Sequence, residues 1–180
     1  MQRIAQAART MLTDRLLPFW QALRDEERGG YYGYMDFGLQ LDKQAEKGCI
    51  LSSRILWFFS EAAMVLADES LVPYARHAYR FLTEKCLDRE EGGVYWSVTC
   101  DGQPLDTTKH TYNQAFAIYA LSAYYRLTGE AEALNLAREL LPSSRAAVPM
   151  PAAIWRRLPG TSGPPATRSS RRTALWRSGP

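Results

Sequence analysis

Hydrophobic residues recur with a helical period along most of residues 1–141, but in two different ways. From about Leu71 to Leu87, Leu71, Tyr74, Ala75, Ala78, Tyr79, Leu82 and Cys86 fall on one stripe, and Arg76, His77, Arg80 and Glu84 face away. That is the pattern of an amphipathic helix on a protein surface. From Lys109 to Tyr125, by contrast, Phe116, Ile118, Tyr119, Leu121 and Tyr124 are spread around the whole wheel, behind a polar first turn of Lys109, His110, Thr111 and Asn113. The run from Cys49 to Ala67 is equally apolar. A helix greasy on every side is buried on every side. Boundary signals agree with this reading. Ser70 or Asp68 caps the amphipathic helix, whose Pro73 is tolerated in a first turn. Asp106 or Thr107 caps the second greasy helix, and Thr128-Gly129 ends it.

The two kinds of helix alternate because the chain repeats. "DEERGGYYGYMD" begins at Asp25 and "DREEGGVYWSVTCDG" at Asp88; both read D-x-x-x-G-G-x-Y, at an offset of 63. Carrying that offset forward sets Lys47 against His110. Each unit is an amphipathic helix, a Gly-Gly turn with a short hairpin, and an apolar helix. "VYWSV" alternates like a strand, and "CDGQP" offers an Asp-Gly turn. A third amphipathic helix runs from Glu130 to Leu141. The expectation is an all-α chain of five helices, with strands limited to hairpins after the first and third. Outer amphipathic and inner greasy helices make concentric rings, an α/α barrel whose inner helices all open at one mouth. At this repeat length six pairs need roughly 380 residues, so the chain supplies less than half of a barrel. An open helical repeat that binds a partner, without catalysis, is the other architecture the pattern admits.

Composition narrows the class. With 46% hydrophobic and 23% charged residues, the chain is globular. It shows no charged-then-apolar leader, and Arg54 and Glu61 interrupt its greasiest run, so neither export nor a membrane partner is expected. Cys49, Cys86 and Cys100 form no C-x-x-C pair and lie at no zinc spacing from His77 or His110. Free thiols, a cytoplasmic location and no metal follow as expectations. The net charge of +3 conceals an asymmetry: residues 142–180 hold seven arginines and no lysine or acidic residue, leaving −4 on the rest.

Chemistry concentrates at the expected mouth. Arg54 sits on the second turn of a greasy helix, where a buried guanidinium requires a partner. It is either a fork of donors aimed at a sugar hydroxyl or developing oxyanion, or half of an ion pair with a neighbouring helix. Tyr112, Asn113 and Phe116 occupy the matching turns of the second inner helix. Tyr112 and Phe116 share a face, and an aromatic pair beside an amide suits a sugar ring; wall packing explains them equally well. Trp57 is assigned to the core. His110 has no visible partner, and His77 faces outward. No P-loop, nucleophile elbow or dinucleotide fingerprint is present.

At these residues a family resemblance enters. "FWQALRDEERGGYYGYMDF", "DKQAEKGCILSSRILWFFSEA", "GGVYWSVTCDGQPLDTTKHTYNQAFAIYALSAYY" and "EALNLARELL" resemble the N-terminal part of the cellobiose-acting members of the N-acylglucosamine 2-epimerase family. The resemblance covers nearly all of residues 1–141. It implies a partial (α/α)6 barrel and a cofactor-independent isomerase that inverts C2 of the reducing-end sugar of a disaccharide such as cellobiose or lactose. The implied route is ring opening, removal of the C2 proton by one histidine, and reprotonation of a cis-enediolate on the opposite face with a second. N-acylglucosamine and mannose are the alternative substrates within the family. Arg54 matches the residue near the open-chain oxygens; Tyr112, Asn113 and Phe116 match the pocket wall. The two proton-transferring histidines have no counterpart here, so the 180-residue chain alone is expected to be inactive.

The segment 142–180 departs from that family. It contains seven of the ten prolines, a density that argues against continuing the helix beyond Leu141. Arginine without lysine, mixed with proline, alanine and glycine, suggests a GC-rich gene read in another frame. A basic arm for nucleic acid and a crossover to a further domain are the alternatives; the expectation is a disordered tail without a nucleic-acid partner.

Overall fold

The computed structural model describes residues 2–146, and side chains as far as Leu141. Five helical rods are present among them. The first, α1, joins Gln2–Met11, a π-helical turn Leu12–Leu16, and Leu17–Ala22. The apolar helix α2 is Cys49–Leu66. The rod α3 combines a 3-10 turn Glu69–Leu71, Val72–Phe81 and a π turn Leu82–Cys86; α4 is Thr111–Thr128 and α5 is Ala131–Ala146. Helices α2 and α4 pack side by side as an inner layer. Helix α3 folds back on α2, and α5 on α4. The alternation of helix types is thus a two-layer arrangement.

The inner helices pack closely because their outward faces carry small residues. Ser52, Ser53, Ser60, Ala62 and Ala63 of α2 are buried, as are Ala117, Ala120 and Ala123 of α4. The buried hydroxyls cost little, because each serine donates to the carbonyl four residues back, Ser53 to Cys49 at 3.0 Å and Ser60 to Leu56 at 2.7 Å. Phe59, Leu56, Leu121 and Tyr124 complete this core against Leu71, Leu82 and Ala133. The opposite faces of α2 and α4 are only partly covered. Helix α1 buries Leu17 but leaves Ile4 76% and Met11 54% exposed. Although α2 is long and apolar enough to cross a membrane, half of it is buried in this fold.

Both hairpins form, Tyr34–Met35 with Leu41–Asp42 (β1, β2) and Ser97–Val98 with Pro104–Asp106 (β4, β5). The strands are not confined to them. Lys47–Gly48 (β3), just before α2, pairs antiparallel with β4 and makes a three-stranded sheet across the two repeats. Because β5 extends to Asp106, α4 starts later than expected. Its cap is His110 in extended backbone, and Asp106 instead accepts the Thr108 amide at 2.9 Å. Asp68 caps the start of α3, accepting from the Ser70 amide at 2.9 Å, and Gly129 ends α4 with φ 74°.

Two further expectations are corrected. Helix α5 runs past Leu141 and Pro142 to Ala146: one proline removes one intrahelical hydrogen bond, and the remaining ones lie beyond residue 146. The disordered tail, and its origin, fall outside the described residues. His77 does not face outward; its Nε2 lies 2.8 Å from the Gly30 carbonyl and its ring packs edge-on to Tyr31.

The Gly-Gly turns explain why the repeat is visible. Gly29, Gly30, Gly92 and Gly93 all have φ between 68° and 88°, where a side chain is strained. In each turn the leading aspartate accepts two backbone amides through Oδ1, Glu27 and Arg28 on Asp25, Glu90 and Glu91 on Asp88. The other oxygen meets a lysine. Lys47 Nζ lies 2.7 Å from Asp25 and Lys109 Nζ 2.6 Å from Asp88. The structural equivalent of Lys47 is therefore Lys109, not His110, and one residue is lost between turn and inner helix in the second repeat. Gly30 also carries a steric requirement, since a Cβ there would stand 2.6 Å from Phe81 Cγ, whereas one on Gly92 would meet nothing. Gly30→Ala is expected to lower the urea midpoint by the equivalent of about 2–4 kcal/mol, strain plus overpacking. Gly92→Ala should show the strain alone, about 1 kcal/mol. Equal midpoint shifts would show that Phe81 gives way.

Candidate functional site

A groove of about 320 Å³ opens where α2 begins, lined by Glu46, Gly48, Ile50, Leu51, Arg54, Trp96 and Ser97. Two repeats build it: the first turns of α2 with Glu46 and Gly48 supply one wall, and β4 with the residue before it brings Ser97 and Trp96. Cys49 N–H donates to the Trp96 carbonyl at 3.0 Å, and Trp96 N–H to that of Asp106 at 2.9 Å, which holds the indole's backbone on both sides. The Ser97 hydroxyl donates to Glu46 Oε2 at 2.9 Å. Larger depressions of about 770 and 720 Å³ run along α1, but they are shallow and bring no converging polar groups from separate elements.

Arg54 is exposed, which corrects the expectation of a buried cation. The inner helix is apolar all round for two separate reasons: one side packs on the outer helices, and the other borders the groove at its first turns and lies toward α1 further along. Among the described residues the guanidinium makes no hydrogen bond and no ion pair. It lies over the ring of Phe116, 5.8 Å from the centroid. Phe116 in turn is edge-on to Tyr112, centroids 4.8 Å apart, and Tyr112 is 58% exposed. Arg54, Phe116 and Tyr112 therefore share one face. One turn deeper, Trp57 stacks on Tyr119 at 5.5 Å.

Asn113 does not join them. It is fully buried, its Nδ2 donates to the Tyr95 carbonyl, and its Oδ1 has no hydrogen-bond partner. The neighbouring Gln114 grips Val94 by both ends, accepting its N–H at 2.7 Å and donating to its carbonyl at 2.9 Å. The two amides satisfy the irregular backbone before β4. Beside them Lys109 lies 4.2 Å from the Tyr95 ring centroid, and its ammonium, with the Glu91 and Glu90 amides, holds the Asp88 carboxyl down at about 2.

Three groove residues carried no signal that singled them out. Trp96 looks like one more strand aromatic, and Glu46 and Ser97 are ordinary loop residues until β3 meets β4. His110 joins the same edge, its ring 4.7 Å from that of Trp96. Among the described residues no group of three histidine, cysteine or acidic side chains is placed to hold a metal ion.

Helical hairpins in two layers, with inner helices that start at one β-hairpin edge, define a section of an (α/α)6 barrel with a cationic and aromatic groove at its mouth. Solved structures agree. A sugar epimerase from a ruminal bacterium superposes with a TM-score of 0.78 at 54% identity, over 79% of this chain and 37% of that one. The cellobiose 2-epimerase of Bacillus thermoamylovorans matches with the same TM-score and coverage at 46% identity. The sequence profile of the N-acylglucosamine 2-epimerase (GlcNAc 2-epimerase) family matches residues 29–155, and the chain belongs to that family. A cellobiose 2-epimerase of Ruminococcus albus is 58% identical over 132 residues, 73% of this chain and 34% of the relative. The chain thus spans about a third of the length of the curated relatives it matches. The family match continues past Leu141, as α5 does.

Proposed function

We propose that this chain forms the Arg54-bearing wall of an active site that inverts C2 of a reducing-end sugar, with cellobiose or lactose as substrate. The observation that carries the reading is Arg54 itself: an exposed guanidinium beside a groove, backed by an aromatic ring and answered by no carboxylate among the described residues. Such a fork meets paired oxygens in one plane. In an opened aldose, removal of the C2 proton forms a C1=C2 bond and places the negative charge on O1, with the O2 hydroxyl cis beside it, as a cis-enediolate. Arg54 stabilises that charge as it develops. Return of a proton to the opposite face of C2 gives the epimer with no net change in atoms or electrons. Tyr112 and Phe116 wall the sugar, while Asn113 acts from below by fixing the Tyr95 carbonyl. The base and the acid come from elsewhere in the barrel. Of the two histidines in this sequence, His77 is committed to Gly30, which leaves too few imidazoles for both faces.

The test is a barrel completed by joining residues 1–141 to the remaining part of the Ruminococcus albus relative. Incubated with lactose in deuterated water, it is expected to yield epilactose carrying one deuterium at C2, whereas the 180-residue chain alone yields none. Turnover of N-acetylglucosamine or mannose but of no disaccharide would move the substrate to the monosaccharide class. No turnover of any sugar by a folded chimera would leave the groove as a binding surface only.

A further inference from the structure

The two β-hairpins turn in the same way but carry opposite chemistry at their tips. In the first, Asp36 N–H donates to the Gln40 carbonyl at 3.0 Å and Leu39 N–H to that of Asp36 at 3.0 Å. In the second, Thr99 N–H donates to the Gln103 carbonyl at 2.8 Å and Gly102 N–H to that of Thr99 at 2.9 Å. Each position stands 63 residues from its counterpart, so Phe37, Gly38 and Leu39 match Cys100, Asp101 and Gly102. The third tip position has positive φ in both, 83° at Gly102 and 61° at Leu39. Glycine adopts that conformation freely, whereas a leucine there is strained by its Cβ. The first tip is nevertheless bare, with Phe37 fully exposed and Leu39 71% exposed.

The second tip shows what a tip of this shape meets. It docks on the preceding repeat: Asp101 pairs with Arg28 of the first Gly-Gly turn at 2.9 Å, and the Cys100 thiol donates to Gln44 Oε1 at 3.6 Å. On its own side, a Cβ on Gly102 would stand 2.8 Å from Cγ and Cδ of Lys85. Each of these contacts is altered at the first tip. Glycine replaces the aspartate, phenylalanine replaces the cysteine, and the short, exposed Ala22 takes the place of Lys85. A turn that fits this tip therefore brings no cation and an apolar surface. A second copy of this chain brings neither, because its second turn carries Glu91 where the first carries Arg28. Covering that carboxylate with Phe37 would strip its hydration without giving it a partner. In an (α/α)6 ring the first repeat has a predecessor, the last helical pair. We propose that Phe37-Gly38-Leu39 is the latch that closes the ring. It docks on the turn of that last pair, which carries apolar side chains in the places of Arg28 and Gln44. The seam inside the chain is polar, and the closing seam is apolar.

The experiment measures urea midpoints in two settings, the 180-residue chain and the barrel completed with the remaining part of the Ruminococcus albus relative. Turnover plays no part, so the outcome is separate from the saccharide reading. Phe37→Ser is expected to leave the midpoint of the 180-residue chain unchanged and to lower that of the completed barrel, where the ring is buried. Leu39→Gly relieves the strain at positive φ, so it should hold or raise the midpoint of the chain, yet lower that of the barrel. Gly102→Ala should lower both, because its contacts lie within the chain. Exchange of the Leu39 amide is expected to slow by about tenfold or more on completion of the barrel. A fall of the Phe37→Ser midpoint in the 180-residue chain overturns the latch without reference to the barrel, since the ring would then be packed within the chain. Equal shifts of either tip variant in the two settings overturn it as well. So does self-association of the 180-residue chain that Phe37→Ser abolishes, which would make a second copy the partner of the tip.

Discussion

Replacing Arg54 with alanine in the completed barrel is expected to lower kcat by about 10²–10³-fold, the loss typical of one oxyanion-stabilising donor. KM should change little, because the charge that Arg54 meets is absent from the ground-state sugar and appears only as the C2 proton leaves. Folding should be intact. The side chain is exposed, and its guanidinium lies over the Phe116 ring without a hydrogen bond or ion pair among the described residues. Arg54→Lys keeps a charge without the planar fork and should recover a part of the rate. Steady-state kinetics on lactose separates these outcomes. Activity of Arg54→Ala within twofold of the parent would make the residue part of the wall and remove it from the mechanism.

Lys47→Met is expected to produce the largest loss of stability, about 3–5 kcal/mol, as when one member of a buried ion pair is removed. Lys47 and Asp25 are each 1% exposed. The ammonium lies 2.7 Å from Asp25 Oδ2 and 2.8 Å from the Gly29 carbonyl, with the Phe81 ring centroid 5.0 Å away. Methionine fills the space and leaves Asp25 Oδ2 buried without a donor. A loss of that size is a large share of the total of about 5–15 kcal/mol that holds a typical domain. The matching Lys109→Met should cost less, because Lys109 is 28% exposed and water compensates its partner. Denaturant midpoints compare the two, and equal losses would contradict the assignment of the first pair as the buried one.

The same aspartates set the acid limit. Burial pushes the Asp25 carboxyl up, but the Lys47 ammonium and the Arg28 and Glu27 amides outweigh it, and the net direction is down. Asp88 is held at about 2. A carboxylate depressed on folding contributes stability above its unfolded value near 4, and that stability is lost as pH falls through the folded value. Unfolding on acidification is therefore expected between about pH 4 and 2, and Lys47→Met should flatten that dependence.

The helices were legible because their period is local, and the Gly-Gly turns because positive φ leaves few residues to choose from. What escaped was set by contacts distant in sequence. The D-x-x-x-G-G-x-Y spacing marks only the start of each turn and hairpin, so the offset of 63 carried Lys47 onto His110. The partners that reveal the slip, Asp25 with Lys47 and Asp88 with Lys109, lie 22 and 21 residues apart. Arg54 was legible as unusual, but its flanks Ser53 and Ile55 are buried, and periodicity cannot tell a packed face from one that borders a groove. Asn113 belongs to the polar first turn that suggested a rim, yet its amide is used by the Tyr95 carbonyl. Trp96 in "VYWSV" has the signature of any strand aromatic, and only the pairing of β3 with β4 puts it beside Arg54.

That pairing makes the groove a joint property of two repeats. Strand β3 belongs to the first and β4 to the second, and the residues facing the groove are carried by the strands and helix starts that form the seam. In a repeat architecture each unit is stabilised mainly by its neighbour. A ligand resting against both walls of the groove therefore binds only when the seam is closed, and it acts as a cross-brace between neighbours. By mass action, affinity and inter-repeat cohesion are then linked quantities: whatever loosens β3 from β4 weakens binding, and an occupied groove holds the two repeats in register.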